Sequence, residues 1–417
     1  MKKNVLIIGA GGVGSVVTHK CAQYNDILGD ICLASRTQSK CEEIIAAVHE
    51  KNNLKDKERQ LFTRQVDASE IDNVVQLIKE TASEIVINVG STFINKPIID
   101  ACLATETAYI DTSVHEDSEA LNLSYPWYAH FEWKRRPFFA KKGLTAVLSV
   151  GFDPGVVNAY SAYALKHEFD KIHSIDIMDV NAGDHGKYFA TNFDPEVNFR
   201  EIVEEVGYWE DRQWKECPPH SRVMEFDFPE VGTRKVYLMG HDELHSLPSH
   251  IDAEHIRFWM GFSEHYLNCF NTLKNIGLLN HKPVITDEGQ VVVPLKVLKA
   301  CLPNPSSLAP EYTGKTCIGN LITGEKDGKE KSIFLYNICD HQQCYEEVGA
   351  QAISYTAGVP PVAAALLVAD GRWDVQEMKN VEELDPDPFL ELLDKIGLST
   401  QLRYIKGKNN VVDKNLY

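Results

Sequence analysis

Hydrophobic positions in the first third of the chain come in short unbroken runs, separated by longer stretches of mixed pattern. Val5-Leu6-Ile7-Ile8 is apolar at every residue, the pattern of a strand buried on both faces. Ser15 to Tyr24 then places Val16, Val17, Lys20, Cys21 and Tyr24 at helical spacing. The same alternation predicts strands at Ile31 to Thr37, Leu61 to Val66, Ile85 to Asn88 and Ala108 to Asp111. Helices are predicted from about Ser39 to Lys51, Asp72 to Glu80 and Lys96 to Ala104, the last opened by Pro97 in its first turn. Strand and helix units repeated at this length predict a Rossmann-type, doubly wound parallel sheet in an α/β protein, with its ligand crevice at the carboxyl ends of the strands. A further strand, Thr145 to Val150, runs into Gly151-Phe152-Asp153-Pro154-Gly155. There Asp153 can cap the next helix and Pro154 can take its first position, a purely structural account of the turn.

The pattern changes near residue 155. Alternating segments appear at Ser174 to Val180, Arg234 to Met239, Thr316 to Thr323 and Ile333 to Cys339, and the last two are joined through Lys326-Asp327-Gly328-Lys329, a hairpin signal. Strands gathered with few crossover helices predict an α+β domain built on a mixed or antiparallel sheet. Helical pattern returns at Thr356, where Gly358, Pro360 and Pro361 lead into Val362 to Ala369, a segment expected to pack back on the first domain. At 417 residues the chain exceeds one ordinary core. The expected division is a dinucleotide-binding domain over 1–154, completed by 345–417, and a substrate-binding and dimerisation domain over 155–344.

The junction after the first strand reads Gly9-Ala10-Gly11-Gly12-Val13-Gly14. Gly9 permits the tight turn, Gly11 lets backbone amides approach a pyrophosphate, and Gly14 lets the helix pack on the strand with its positive end facing the phosphates. The second strand ends Ser35-Arg36-Thr37, where sites selective for NAD carry a carboxylate. A guanidinium pairs with a ribose 2′-phosphate that a carboxylate would repel, and flanking hydroxyls donate to it, so the cofactor is read as NADP(H). Strand ends place Asp67 and Ala68, then Asn88, Val89 and Gly90, then Thr112 along the same crevice. Asp67 either accepts from adenine or is a plain loop acid.

A net charge of −18 argues against nucleic acid or an anionic membrane as partner and favours cationic small molecules, although solubility alone also accounts for it. With a strand beginning near residue 4 there is no room for a targeting segment, and a cytoplasmic location is expected. The apolar window Ala352 to Ala369 is read as a buried helix. Ten cysteines occur without a Cys-x-x-Cys pair, as expected of small core residues in a reducing compartment. Cys339 to Cys344 encloses a histidine but has no second ligand pair nearby, so no metal site is expected. The chain has neither a Gly-x-Ser-x-Gly elbow after a strand nor a His-Glu-x-x-His helix, which leaves redox chemistry on a nicotinamide. One loop, Asn181 to Glu196, is dense in groups able to orient a ligand, although turn residues alone also account for it. Asp153 and the pair His115-Glu116 stand at strand ends and are further candidates, with His115 read first as a satisfied polar residue.

Over nearly its whole length the chain resembles the saccharopine dehydrogenase family. The resemblance rests on Gly9 to Gly14, Ser35-Arg36-Thr37, Asn88-Val89-Gly90 with Pro97 to Cys102, Gly151-Phe152-Asp153-Pro154-Gly155, and the Asn181 to Glu196 loop with Asn198-Phe199-Arg200-Glu201. The Gly-Phe-Asp-Pro-Gly turn is characteristic of the family, and the Asn-Ala-Gly-Asp-His-Gly loop is similar to its polyamine-forming branch. The resemblance implies a homodimeric enzyme that uses NADPH to condense aspartate β-semialdehyde with a diamine, 1,3-diaminopropane or putrescine, giving carboxynorspermidine or carboxyspermidine. In that scheme Asp184 and Glu201 hold the distal ammonium, Arg200 grips the semialdehyde carboxylate, and His185 or Asp153 moves protons. Lys187 and Asn192 complete the substrate loop. Two alternatives stay open: an enzyme joining an amino-acid semialdehyde to glutamate, and a non-catalytic NADP sensor on the same fold.

Overall fold

The computed structural model describes residues 2–116, 123–203, 205–406 and 410–415. Six strands of the first third, β1 (Val5–Ile8), β2 (Ile31–Ser35), β3 (Leu61–Gln65), β4 (Ile85–Asn88), β5 (Ala108–Asp111) and β6 (Ala146–Leu148), form a parallel sheet. A late strand, Met378–Asn380, completes it, and the order runs Met378–Asn380, β6, β5, β4, β1, β2, β3. This is the doubly wound α/β arrangement expected. Its central strands are apolar on both faces because helices cover both sides: every residue of β1 and β4 is buried.

Helix α1 (Gly12–Gln23) packs on one face beside helix Ala352–Ala369. Their approach is close, since a Cβ on Gly358 would lie 2.7 Å from Val16 Cβ and one on Gly12 would lie 2.5 Å from Ser354 Oγ. Ala352–Ala369 is the one helix among the described residues long and apolar enough to cross a membrane, and 83% of it is buried inside the protein. It spans the whole apolar window and runs through Pro360 and Pro361. Nearly every side chain from Ala352 to Val368 is buried, so packing outweighs the backbone bonds the prolines remove.

The second sheet has ten strands and is mixed. Its centre is β7 (Lys171–Asn181), paired parallel to His255–Gly261 on one side and antiparallel to Lys315–Lys326 on the other. Lys315–Lys326 and Lys329–Asp340 form the expected hairpin, with Asp327 at φ 50° and Gly328 at φ 69°, the left-handed pair that a two-residue turn requires. The C-terminal stretch divides between the sheets. Met378–Asn380 joins the parallel sheet, whereas Gln401–Lys406 and Asn410–Asn415 pair beyond Lys329–Asp340 in the mixed one. The stretch expected to complete the first domain therefore gives its closing strands to the second sheet, where the Lys329–Asp340 strand offered an open edge; residues 407–409, 416 and 417 lie outside the described set.

Candidate active site

The glycine turn after β1 has the geometry a dinucleotide cradle needs. Gly9 adopts φ +123°, and a Cβ there would meet Val89 O at 2.5 Å; a Cβ on Gly14 would meet Gly9 O at 1.9 Å. Gly11, the N-cap of α1, makes no side-chain cap, and its Cβ position faces open space. The first-turn amides of α1 therefore front a gap bordered by the strand ends, which fits a pyrophosphate.

At the outer end of the cradle, Arg36 and Arg64 line one recess together with Val66 and Asp67. Arg64 was not singled out in the sequence, where its place in β3 is an ordinary strand position; pairing of β3 against β2 brings it beside Arg36. The two guanidiniums fit a 2′-phosphate. Ser35 is committed locally, its Oγ accepting from Thr37 N (3.1 Å) and donating to Thr37 O (3.0 Å). Asp67 is likewise engaged, accepting from Ser69 N and Oγ at 3.1 and 2.7 Å, bonds that hold its carboxyl below the usual range. Asn88 is a scaffold residue: its amide donates to Asn95 Oδ1 and Tyr109 OH and its carbonyl accepts from Gly90 N, fixing the turn after β4. Val89 and Ala68 are buried beneath the crevice.

The inner end of the cradle opens, at Val13 and Thr112, on a cavity of about 300 Å³ between the two sheets. Its walls carry acids. Asp153 comes from the turn after β6, Asp179 from β7, Arg200 and Glu201 from helix Pro195–Val203, Glu116 from the loop after β5, and His241 and Asp242 from the turn after strand Gly232–Met239. Burial pushes Asp179 and Asp242 up to about 7 each, and burial with the neighbouring Asp179 charge raises Asp153 well above the carboxylate range. Asp179 Oδ1 is buried with no hydrogen-bond partner among the described residues, whereas Asp242 Oδ2 accepts from Val114 N at 2.9 Å. Burial also raises Glu116, against the opposing pull of Arg200, whose Nη1 lies 3.6 Å from Glu116 Oε2. The Arg200 guanidinium sits 5.4 Å from the centre of the Phe93 ring.

His241 is gripped through Nδ1 by Glu243 Oε2 at 2.6 Å and stacks on Phe258 with ring centres 4.0 Å apart. Burial alone would lower its pKa, but Glu243, Asp153 and Glu201 together hold it well above the usual value, which favours the charged ring. His245, four residues further along the chain, has the opposite tendency. It is buried in a stack with Tyr125, Trp127 and Trp214, and burial lowers it to about 3.

Several expectations need correction at this point. Asp153 does not cap the following helix and Pro154 is not its first residue; the helix starts at Val156 behind Gly155, whose amide donates to Asn158 Oδ1. That rearrangement leaves the Asp153 carboxyl to the cavity. Phe193 of the polar loop lines the cavity, but the loop residues expected to bind substrate do not. Asp184 is exposed, pairs by backbone with Thr313 and accepts from Gly186 N (2.8 Å); His185 packs edge-on against Tyr312; and Lys187 faces Glu311. Asn192 turns inward, accepting from Tyr312 OH at 2.6 Å and, through its own carbonyl, from Gln351. The loop's polar groups satisfy its own turns and its anchor to Tyr312, which is why the segment looks ligand-binding in sequence. Of the predicted substrate residues, Asp153, Arg200 and Glu201 reach the cavity. His115 is a satisfied histidine, with Nδ1 2.9 Å from Thr92 O, while its neighbour Glu116 reaches the cavity.

Sequence reasoning missed Asp179, His241 and Glu243. Their signals existed: Asp179 is an acid between the apolar Met178 and Val180 of the central strand, and Gly240-His241-Asp242-Glu243 is a polar run directly after a strand.

Comparison with known proteins agrees with this architecture. Residues 5–147 match the saccharopine dehydrogenase NADP binding domain and residues 151–398 the saccharopine dehydrogenase C-terminal domain. The chain is similar to a carboxynorspermidine synthase of Vibrio alginolyticus, 52% identical over 98% of this chain and 99% of that one. It is also similar to a carboxyaminopropylagmatine dehydrogenase of Synechocystis sp., 44% identical over 94% of this chain and 96% of the relative. Among solved structures, apo saccharopine dehydrogenase (L-Glu forming) from Saccharomyces cerevisiae shares the fold, with a TM-score of 0.71 and 14% identity over 97% of this chain and 100% of that one.

Proposed function

The chain belongs to the saccharopine dehydrogenase family, and from that membership we propose that it is an NADPH-dependent oxidoreductase that joins aspartate β-semialdehyde to a diamine, 1,3-diaminopropane or putrescine, by reductive condensation. The product is carboxynorspermidine or carboxyspermidine. What carries the reading is the charge of the cavity where the nicotinamide end of the cradle opens. Asp153, Asp179, Glu116 and Glu201 line it, Arg200 is the one guanidinium, and there is no lysine among its described lining residues. A dicationic amine matches that wall, and one α-carboxylate matches one guanidinium. Joining a semialdehyde to glutamate would bring more carboxylates than Arg200 alone can neutralise.

Gly11, the amino end of α1, Arg36 and Arg64 would hold the pyrophosphate and 2′-phosphate of NADP(H). When bound, the nicotinamide supplies the hydride that reduces the carbon–nitrogen double bond. Arg200 orients the semialdehyde through its carboxylate, and the buried carboxylates draw the amine from water and accept its proton so that a neutral nitrogen attacks the carbonyl carbon. Enclosure between the sheets keeps water low while the imine exists. The family resemblance also supports a homodimer, which a mass measurement in solution would test.

The deciding experiment follows NADPH absorbance with purified protein. Oxidation that requires both the semialdehyde and the diamine supports the proposal. A requirement for glutamate in place of the diamine, or cofactor binding without turnover on any pair, overturns it.

A further inference from the structure

Condensing an aldehyde with an amine leaves a hydroxyl on carbon that must depart as water before any hydride can add, and departure requires a proton delivered to that oxygen. The buried carboxylates suit accepting the amine's proton. A donor is needed as well. One group in the cavity has the build of one. His241 is fixed on two sides, by Glu243 Oε2 at Nδ1 (2.6 Å) and by the Phe258 ring beneath it (4.0 Å), so its orientation is set before substrate arrives. Its Nε2 has no hydrogen-bond partner among the described residues, and the ring lines the cavity. A carboxylate on one ring nitrogen with the other nitrogen open to a substrate cavity is the arrangement that prepares an imidazole for proton transfer.

Resting on the condensation proposed above, we infer that His241, held by Glu243, is the catalytic acid that expels water from the carbinolamine. The protons balance as follows. The ammonium substrate gives one proton to the Asp153–Asp179 pair; its nitrogen adds to the aldehyde carbon, forming the C–N bond, and a second amine proton passes to the former carbonyl oxygen. His241 Nε2–H then protonates that hydroxyl, the C–O bond breaks, water leaves, and the nitrogen lone pair makes the iminium. After hydride reaches the carbon, the secondary amine takes back the proton stored on the carboxyl pair. The imidazole recovers its own from solvent, the single proton consumed overall.

The groups facing His241 maintain the charge this role needs. Glu243 lies on its own turn, Asp153 follows β6, Asp179 stands on β7, and Glu201 on helix Pro195–Val203 adds a further negative charge. Asp242 is affected by the imidazolium in turn, and the neutral His245 adds no competing cation.

The test compares wild type with His241→Gln and Glu243→Gln, using NADPH, aspartate β-semialdehyde and 1,3-diaminopropane. H241Q is expected to lose about 100-fold or more in kcat while KM for either substrate moves less than about fivefold, the split expected when an acid acts after binding. NADPH affinity, read by fluorescence without the other substrates, should stay unchanged and certifies the fold. Wild-type kcat should fall at high pH as the imidazolium deprotonates; that limb should move to lower pH in E243Q and vanish in H241Q. Imidazole added to His241→Ala should restore part of kcat. If wild type turns over but H241Q keeps kcat within about threefold, or retains the alkaline limb, the assignment is wrong while the condensation stands. Should H241Q not fold, E243Q decides alone, and an unmoved limb refutes the role. Failure of the wild type itself on every amine and semialdehyde pair removes the condensation and this role together.

Discussion

Binding of the diamine should depend steeply on pH, and Asp179 sets the slope. Its carboxyl is held near 7 by burial against the opposing pull of His241, and its Oδ1 has no hydrogen-bond partner among the described residues. At pH 6 such a group is ionised in about one molecule in eleven and at pH 8 in about ten of eleven, a tenfold change in the form able to pair with an ammonium. The diamine stays predominantly protonated across that interval. Its dissociation constant should therefore fall about tenfold from pH 6 to pH 8 for this one carboxylate. Asp242, also near 7, is partly committed to Val114 N and should add less. Titration calorimetry of 1,3-diaminopropane into protein saturated with NADP+, with no aldehyde present, measures this without turnover. Asp179→Asn should flatten the slope and, at pH 8, weaken binding to the wild-type pH 6 value or beyond. The sign of the stability effect is opposite. A carboxyl raised in the folded state favours the proton, so stability fully present below the unfolded value of 3.8 is lost as pH rises through about 7. D179N should consequently raise the melting temperature of the ligand-free protein at pH 8. A dissociation constant constant within about twofold over this range, or an unchanged slope in D179N, would refute the assignment of Asp179 to the amine.

Other expectations concern the cradle and the loop. Arg36→Asp should weaken NADPH by about 100-fold or more while NADH changes little, because only the former carries the 2′-phosphate; fluorescence titration of both cofactors checks it, and an unchanged preference would mean the phosphate lies elsewhere. Gly14→Ala must move α1 away from Gly9 O by about 1.5 Å to reach ordinary contact, since the new Cβ would start 1.9 Å from that atom. Cofactor binding should be lost and the melting temperature should drop. Asp184→Ala should leave the diamine KM within about twofold of wild type, because that side chain serves the Gly186 turn on an exposed loop; a selective rise in amine KM would return the loop to the site.

Legibility in the sequence followed the range of the interactions. The parallel sheet could be read because each strand buried on both faces writes its own unbroken apolar run, and the cradle because Gly9 and Gly14 answer clashes with atoms only a few residues or one strand away. Arg36 follows from its place at a strand end, whereas Arg64 needed the β2–β3 register to reach it.

The order of apolar runs and the glycine spacing determined a dinucleotide-binding α/β chain with a second sheet, since both are fixed by local period and local sterics, and Arg36 at the end of the second strand added the preference for NADP. Only the tertiary structure decided which of the candidate acids line the cavity and brought Asp179 in beside them. Asp153, Asp179, Glu201 and His241 come from four separate elements, and nothing in their own neighbourhoods says that they converge. The polar loop taught the converse: hydrogen-bonding groups crowded in sequence were consumed by the loop's own turns, because a polar side chain finds its nearest backbone partner before any ligand.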